Sequence, residues 1–234
     1  EILIVDTGSR EKRTWGYYKA LRRNPRVKLL KWKESFNFAS VNNFAAARAA
    51  GEYVLFLNND TNVITPEWLE AMLEHAQRRE VGAVGAKLYF EDNSIQHCGV
   101  ILGLGPDRVA GHIFVHHTGH GYFGYADVIR NYSAVTAACM LISKKKFDEV
   151  GGFDEKLGIC YNDVDLCLKL RQRGYLIVYT PYAELYHYES VSLGKIEKRE
   201  RKTDKMEVEY MRKKWRDLLQ NDPYYNPNLT LDRG

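Results

Sequence analysis

Short apolar runs alternate along the chain with longer segments in which apolar residues recur every three or four positions, and these two periods predict strands and helices in turn. Residues 1–5 read as a short buried strand that ends in the polar turn Asp6-Thr7-Gly8-Ser9. Ser40 is placed to cap a helix running to residue 50, Gly51 breaks it, and residues 53–57 are apolar enough for a central strand. That strand stops at Asn58-Asn59-Asp60-Thr61. Thr65 and Pro66 open a helix in which Leu69, Met72, Leu73 and Ala76 share one stripe. Further strands are predicted at 83–89, 97–102 and 134–142, with a Gly- and His-rich loop between the last two. Ser143 caps a short helix closed by Gly151-Gly152; 162–173 is a helix stopped by Gly174, and 175–179 is the next strand. A charged helix is expected from 195 to about 219 and an extended tail over 222–230. The βαβα order predicts an α/β fold.

Composition narrows the class. With 234 residues, 45% hydrophobic and 27% charged, the chain can bury one sizeable core, and no composition shift marks a domain boundary. The net charge of +4 gathers near the C-terminus rather than along a face, which argues against nucleic-acid binding. No apolar run approaches the roughly 20 residues of a membrane-spanning helix, and neither a signal peptide nor a methionine opens the chain. Cys98, Cys139, Cys160 and Cys167 lack metal-site spacing and sit in apolar segments, so they are expected to be reduced core residues of a cytoplasmic protein.

In open α/β sheets, ligands bind beyond the carboxyl ends of strands, which directs attention to Asp6 and Asp60. A carboxylate there can hold a divalent cation that neutralises a diphosphate, although Asn58-Asn59-Asp60-Thr61 is equally good turn chemistry. Asp163 and Asp165 fall at a helix start, where the dipole favours anions; both could serve as caps. Asp165 can pair with Lys169 one turn on, which leaves Asp163 available as a base. His187 follows a strand and could reach a metal or phosphate, or could simply be packed. His112, His116, His117 and His120 have no known zinc spacing and are read as a plain loop.

Read together, these positions resemble the family 2 glycosyltransferases with the glycosyltransferase-A fold. The resemblance is carried by Ile4-Val5-Asp6-Thr7-Gly8-Ser9, Phe36-Asn37-Phe38, Val41-Asn42-Asn43 and Gly51 through Asp60. Gly151-Gly152-Phe153-Asp154-Glu155, Asn162-Asp163-Val164-Asp165 and His187-Tyr188-Glu189-Ser190 continue it. The rhamnosyltransferase-like branch of O-antigen and cell-wall polysaccharide synthesis, whose tail is similar to 222–228, is the nearest in pattern. The resemblance implies a three-layer α/β/α domain around a central mixed, mostly parallel sheet over residues 1–194, with 195–234 packed on it. It implies an inverting, non-processive transfer from a UDP- or dTDP-sugar to a glycan or lipid-linked acceptor, helped by Mg²⁺ or Mn²⁺.

Carried over by residue, Asp163 would be the base, Asp60 and His187 the metal ligands, Asp6, Asn42 and Asn59 the donor side, and Gly152 and Asn162 the acceptor side. Asn58 departs from the first aspartate of the family's D-x-D motif, and Asn162 stands where an acid is usual. Family members begin with a further strand and helix, about 30 residues by the size of a βαβ unit, so the resemblance implies a truncated front end and other domains in a longer chain. Two rivals are a binding module that has lost catalysis and, for the basic stretch 195–216, peripheral contact with a membrane surface. The interleaved acids in that stretch favour a solvated helix instead.

Overall fold

The computed structural model of the chain describes residues 1–188 and 197–232, and for 197–204 the main chain only. Glu189 and Ser190 of the His-Tyr-Glu-Ser stretch, and the expected boundary at 194–195, lie outside the described residues. The chain opens with β1 (Ile2–Asp6), α1 (Lys12–Leu21) and β2 (Val27–Lys31), and the two strands pair in parallel as a separate ribbon. Then come α2 (Phe38–Ala46), β3 (Tyr53–Leu57), β4 (Thr61–Val63), α3 (Trp68–Ala76) and β5 (Val81–Tyr89). Short strands β6 (Ile95–His97), β7 (Val100–Leu102), β8 (Ala110–His112) and β9 (Arg130–Tyr132) lead to β10 (Cys139–Ser143). The chain continues with α4 (Lys144–Glu149), α5 (Asn162–Gln172), β11 (Leu176–His187) and α6 (Glu197–Trp215).

The large sheet has the order β3-β10-β5-β11-β4, with β6 added to β5 and β9 to β11. It is mixed, as expected. β10 is antiparallel to both β3 and β5, and β5 is parallel to β11, so β3, β5 and β11 point the same way. The parallel sense therefore belongs to those three strands, while β5–β11 is the only parallel ladder among the described strands of this sheet.

Period-2 alternation divides the side chains between two cores. Along β10, Met140 and Ile142 face one core and Cys139 and Leu141 the other. Along β11, Ile177 and Tyr179 are separated in the same way from Val178 and Leu185. The first core is closed by Phe147 of α4, Phe153, and Leu166, Leu168 and Leu170 of α5; the second by Met72 and Ala76 of α3. Helices on both faces make the three layers.

Several local expectations are corrected. Asn37, not Ser40, caps α2: its side chain accepts the Ser40 N–H at 2.9 Å, and the helix ends at Ala46. Leu69 is 40% exposed, so the α3 stripe rests on Met72 and Ala76. The strand expected over 97–102 is interrupted at Gly99 (φ 122), where a Cβ would lie 2.4 Å from the Tyr132 ring. The strand expected from 134 begins only at Cys139: Ala134 makes an isolated bridge to Val100, and 137–138 is a turn. β11 runs on through Pro181 to His187. The loop expected between 102 and 134 contains β8, a 3₁₀ turn at Tyr122–Asp127 and β9. Cys98, Cys139 and Cys167 are buried, but Cys160 is only half-buried. No helix of the described residues is long and apolar enough to cross a membrane.

Candidate functional site

The carboxyl ends of β3 and β11 lie side by side because β4, directly after β3, pairs back onto β11 with Thr61 opposite His187. This pairing brings Asp60 to the imidazole: Asp60 Oδ1 is 3.2 Å from His187 Nε2. The Tyr188 N–H donates to the Asp60 carbonyl at 2.9 Å, and Asn58 Nδ2 lies 3.2 Å from the same ring nitrogen. Thr61 Oγ1 donates to the Asn58 carbonyl at 2.8 Å, which holds the turn chemistry recognisable in the sequence.

The arrangement fits a small divalent cation. On its other side the ring meets Gln96, whose Oε1 is 2.6 Å from Nδ1. An amide oxygen only accepts, so Nδ1 carries the proton and Nε2 presents a lone pair toward Asp60. Two acceptors 3.2 Å apart are stable around a proton or a cation, and that separation is close to the roughly 3 Å edge of an octahedron with bonds of about 2.1 Å. Two side chains suffice when phosphate and water complete the shell, as is usual for Mg²⁺.

Asp163 lies across one turn from this pair. It stands at the start of α5, following Tyr161 in a left-handed conformation (φ 59), and is half-buried. Its carboxylate accepts the Val164 N–H at 2.8 Å and the Ala137 N–H at 3.2 Å. The next carbonyl, of Ala138, accepts the Asn58 N–H at 2.9 Å. The turn at 137–138 therefore ties Asp163 and the end of the Asp60 strand to consecutive residues, Ala137 and Ala138. It is seated by Val135, which packs so tightly on β5 that a Cβ at Gly85 would fall 2.5 Å from it. The Thr136 N–H donates at 3.4 Å to Nε2 of the fully buried His97. Burial, with His112 and His187 nearby, holds His97 well below the usual imidazole range.

Asp165 has a structural setting. It is fully buried, and its carboxylate takes Trp215 Nε1 and Lys214 Nζ, each at 2.7 Å, with Lys169 at 3.7 Å. α6 also supplies Glu207, whose carboxylate accepts the N–H groups of Gly158, Ile159 and Cys160 in the loop leading to α5. Asn162 braces the same loop, donating to the Ile159 carbonyl at 3.1 Å. Gly152 is buried at φ 65, and a Cβ there would meet Asn43 Oδ1 at 2.7 Å. Asn43 is a clamp the sequence reading left without a role: it accepts the Phe153 N–H at 2.9 Å and donates to the Phe153 carbonyl at 3.0 Å.

The donor-side residues are more dispersed. Asp6 ends β1, and its Oδ1 accepts the N–H groups of Ser9 at 2.9 Å and Gly8 at 3.3 Å. Burial opposes its charge, but these bonds and the Lys31 charge outweigh burial and hold Asp6 below the usual carboxylate range. Asn42 donates back to the Phe38 carbonyl of its own helix at 2.8 Å, and Asn59 is exposed. None of these three makes a hydrogen bond to Asp60, Asp163 or His187 among the described residues. Of the histidine stretch, His116 stacks on Phe90, His117 packs on Phe114, His120 pairs with Asp127 and His112 meets His97. Two recesses, of about 490 and 410 Å³, are lined by Arg130, Tyr224 and Tyr225 and by Lys87, Asp127 and Glu184 respectively; neither is lined by Asp60, Asp163 or His187.

The α/β/α arrangement around this mixed sheet is the glycosyltransferase-A fold. The chain belongs to glycosyl transferase family 2, whose model matches residues 1–151. An uncharacterised protein, y4gI, of Sinorhizobium fredii is 44% identical over all of this chain and 26% of its own length. The O-antigen biosynthesis protein RfbC of Myxococcus xanthus is 38% identical over 99% of this chain and 18% of its own length. An N-acetylglucosaminyl-diphospho-decaprenol L-rhamnosyltransferase of Mycobacterium tuberculosis is 28% identical over 83% of this chain and 68% of its own. The chain thus spans about a quarter or less of the first two relatives. Among solved structures, GalNAc-T7 with UDP, GalNAc and Mn²⁺ shares the fold at TM-score 0.65 and 14% identity, over 82% of this chain and 38% of that one. The mannosyltransferase PcManGT of Pyrobaculum calidifontis, with GDP-Man and Mn²⁺, does so at 0.57 and 15%, over 82% and 49%.

Proposed function

We propose that the chain transfers a sugar from a UDP- or dTDP-sugar to a hydroxyl of a glycan or lipid-linked glycan, one residue at a time and with inversion at the anomeric carbon. The observation that carries this reading is the Asp60–His187 pair at 3.2 Å, tied through one turn to Asp163. Asp60 Oδ1 and His187 Nε2 would hold Mg²⁺ or Mn²⁺, which when bound neutralises charge on the departing nucleoside diphosphate.

Asp163 takes the acceptor hydroxyl's proton as that oxygen bonds to the anomeric carbon. The bond from that carbon to the phosphate oxygen breaks, and its electron pair leaves with the diphosphate. The N–H groups of Ala137 and Val164 fix the carboxylate so that a free lone pair can face the acceptor. Asp6 addresses the nucleotide base, with Asn42 and Asn59 on the donor side and Gly152 and Asn162 on the acceptor side. In this reading residues 1–194 are the catalytic domain, 195–234 brace it, and other domains of a longer chain work with it at the cytoplasmic side of the membrane in surface polysaccharide synthesis. The relatives named for O-antigen biosynthesis and for rhamnosyl transfer to a lipid-linked sugar support this direction.

The test is titration of UDP- and dTDP-sugars with and without Mn²⁺, followed by a transfer assay on glycan and polyprenyl-diphosphate-linked acceptors. Mn²⁺-dependent binding followed by transfer is expected. Binding with no transfer, in this chain and in a longer one, would favour a module that has lost catalysis.

A further inference from the structure

We propose that Gln96 is the positioning residue that sets the tautomer and orientation of His187, an inference that rests on the reading of His187 as a metal ligand. Gln96 is 6% exposed and spends both ends of its amide on this one residue. Its Nε2 donates to the His187 carbonyl at 3.1 Å, and its Oε1 lies 2.6 Å from Nδ1. The carbonyl oxygen can only accept, so the amide nitrogen must face it, and the amide oxygen must then face the ring. This leaves the ring one compatible neutral form, with the proton on Nδ1 and Nε2 bare.

Asn58 Nδ2, a donor 3.2 Å from Nε2, favours the same form, but among the described residues Gln96 is the group that engages Nδ1. Asp60, 3.2 Å from Nε2, would by itself draw the proton to Nε2 and remove the lone pair a cation needs. Gln96 works against that pull from a rigid base. β6 is paired to β5 through Ile95 and His97, the two residues flanking Gln96. The Gln96 carbonyl lies 3.1 Å from His112 Nδ1, and His97 is fully buried against the turn that carries the Ala137 donor. Outer groups of this kind, which hand a metal-ligating histidine its orientation, typically change metal affinity by about 10- to 100-fold when removed.

The experiment measures the ring itself and metal binding, apart from turnover. Long-range ¹⁵N–¹H spectra of the full chain should show His187 protonated at Nδ1 when neutral; a proton resident on Nε2 overturns the proposal without any variant. Gln96→Leu should convert the ring to a mixture or to the Nε2–H form and weaken binding of Mn²⁺ alone by about 10- to 100-fold. A Gln96→Leu protein with unchanged ring signals and unchanged Mn²⁺ affinity overturns it. Should that variant fail to fold by circular dichroism, Gln96→Glu keeps an acceptor for Nδ1–H and should retain the Nδ1-protonated ring; an Nε2-protonated ring in Gln96→Glu counts against the proposal. Asp60→Ala separates the two readings. If it leaves Mn²⁺ affinity intact, the metal reading fails, while the role of Gln96 is still decided by the ring spectrum.

Discussion

Asp163 and Asp6 each accept two main-chain N–H groups, but the donors come from different distances along the chain. One donor to Asp163 is Ala137, 26 residues away, on a turn that also holds Asn58 and His97. Both donors to Asp6 lie two and three residues on, in its own loop. The sheet rim is therefore fixed by tertiary structure, whereas the Asp6 loop is held by its own backbone. Its ribbon is lightly attached: α1 buries no residue, and β1 pairs with β2 alone. Under the proposed function, a rigid rim beside a lightly attached ribbon would suit an enzyme that releases a diphosphate product after each turnover.

The largest effects should separate the two carboxylates by kinetic parameter. Asp163→Asn keeps one acceptor oxygen, enough for only one of the Ala137 and Val164 N–H groups, which bond to different carboxylate oxygens. The fold should survive at a cost of about 1–3 kcal/mol, while kcat should fall by about 10² to 10⁴. Asp6→Asn should leave kcat near normal and raise the KM for donor by about tenfold, the worth of one charge-supported hydrogen bond. Steady-state kinetics on both variants decides this. Equal losses of kcat would erase the distinction between rim and ribbon.

Stability should divide the same way. Asp165 is fully buried and accepts the buried Trp215 indole N–H beside Lys214 and Lys169, so Asp165→Ala leaves that N–H unpaired and should cost about 1–3 kcal/mol in a denaturant titration. Hydrogen exchange offers a subtler measure. Amides of β1 and β2 should exchange well before those of β5, β10 and β11, whose side chains fill both cores. Equal protection in the ribbon and the large sheet would break the comparison outright.

The sequence exposed the rim more readily than the ribbon, for a physical reason. Residues 53–60 combine an apolar strand with a polar stop, and His187 ends another strand, so both members of the Asp60–His187 pair carry residue-type signals. α1 has Trp15 and Tyr17 at 40% and 62% exposure and no buried stripe, so periodicity had nothing to register, and β2 was hidden with it. The Ala137 donor was illegible too, because a main-chain N–H has no residue identity. Gln96 and His97 sat inside what read as one strand over 97–102 and its polar approach, and only the break at Gly99 reveals them as a separate element. The Asp165–Lys169 pair was legible as a helical spacing, while Lys214 and Trp215 arrive from a helix about 50 residues on.

Acidification gives the smallest and most discriminating effect. All seven histidines lie at or beyond residue 75, so the ribbon has none to titrate. His75, 3% exposed on α3 with no partner for Nδ1, is held below its usual range by burial and by Arg78, and His97 is held well below it by burial and its neighbouring imidazoles. Their folded-state values are lower than their unfolded values, so as pH falls through about 6.5 the unfolded chain takes up protons first and stability declines, by at most about 1.4 kcal/mol per pH unit for each group. Asp6, held below the usual carboxylate range, stays charged in both states over this window. Between pH 7 and 5 the large sheet should therefore lose protection while the ribbon does not, and the gap between them should narrow. Replacing His75 by Leu should leave stability at pH 7 nearly unchanged and flatten the decline measured by denaturant titration. An equally steep decline in that variant would assign the acid sensitivity to His97.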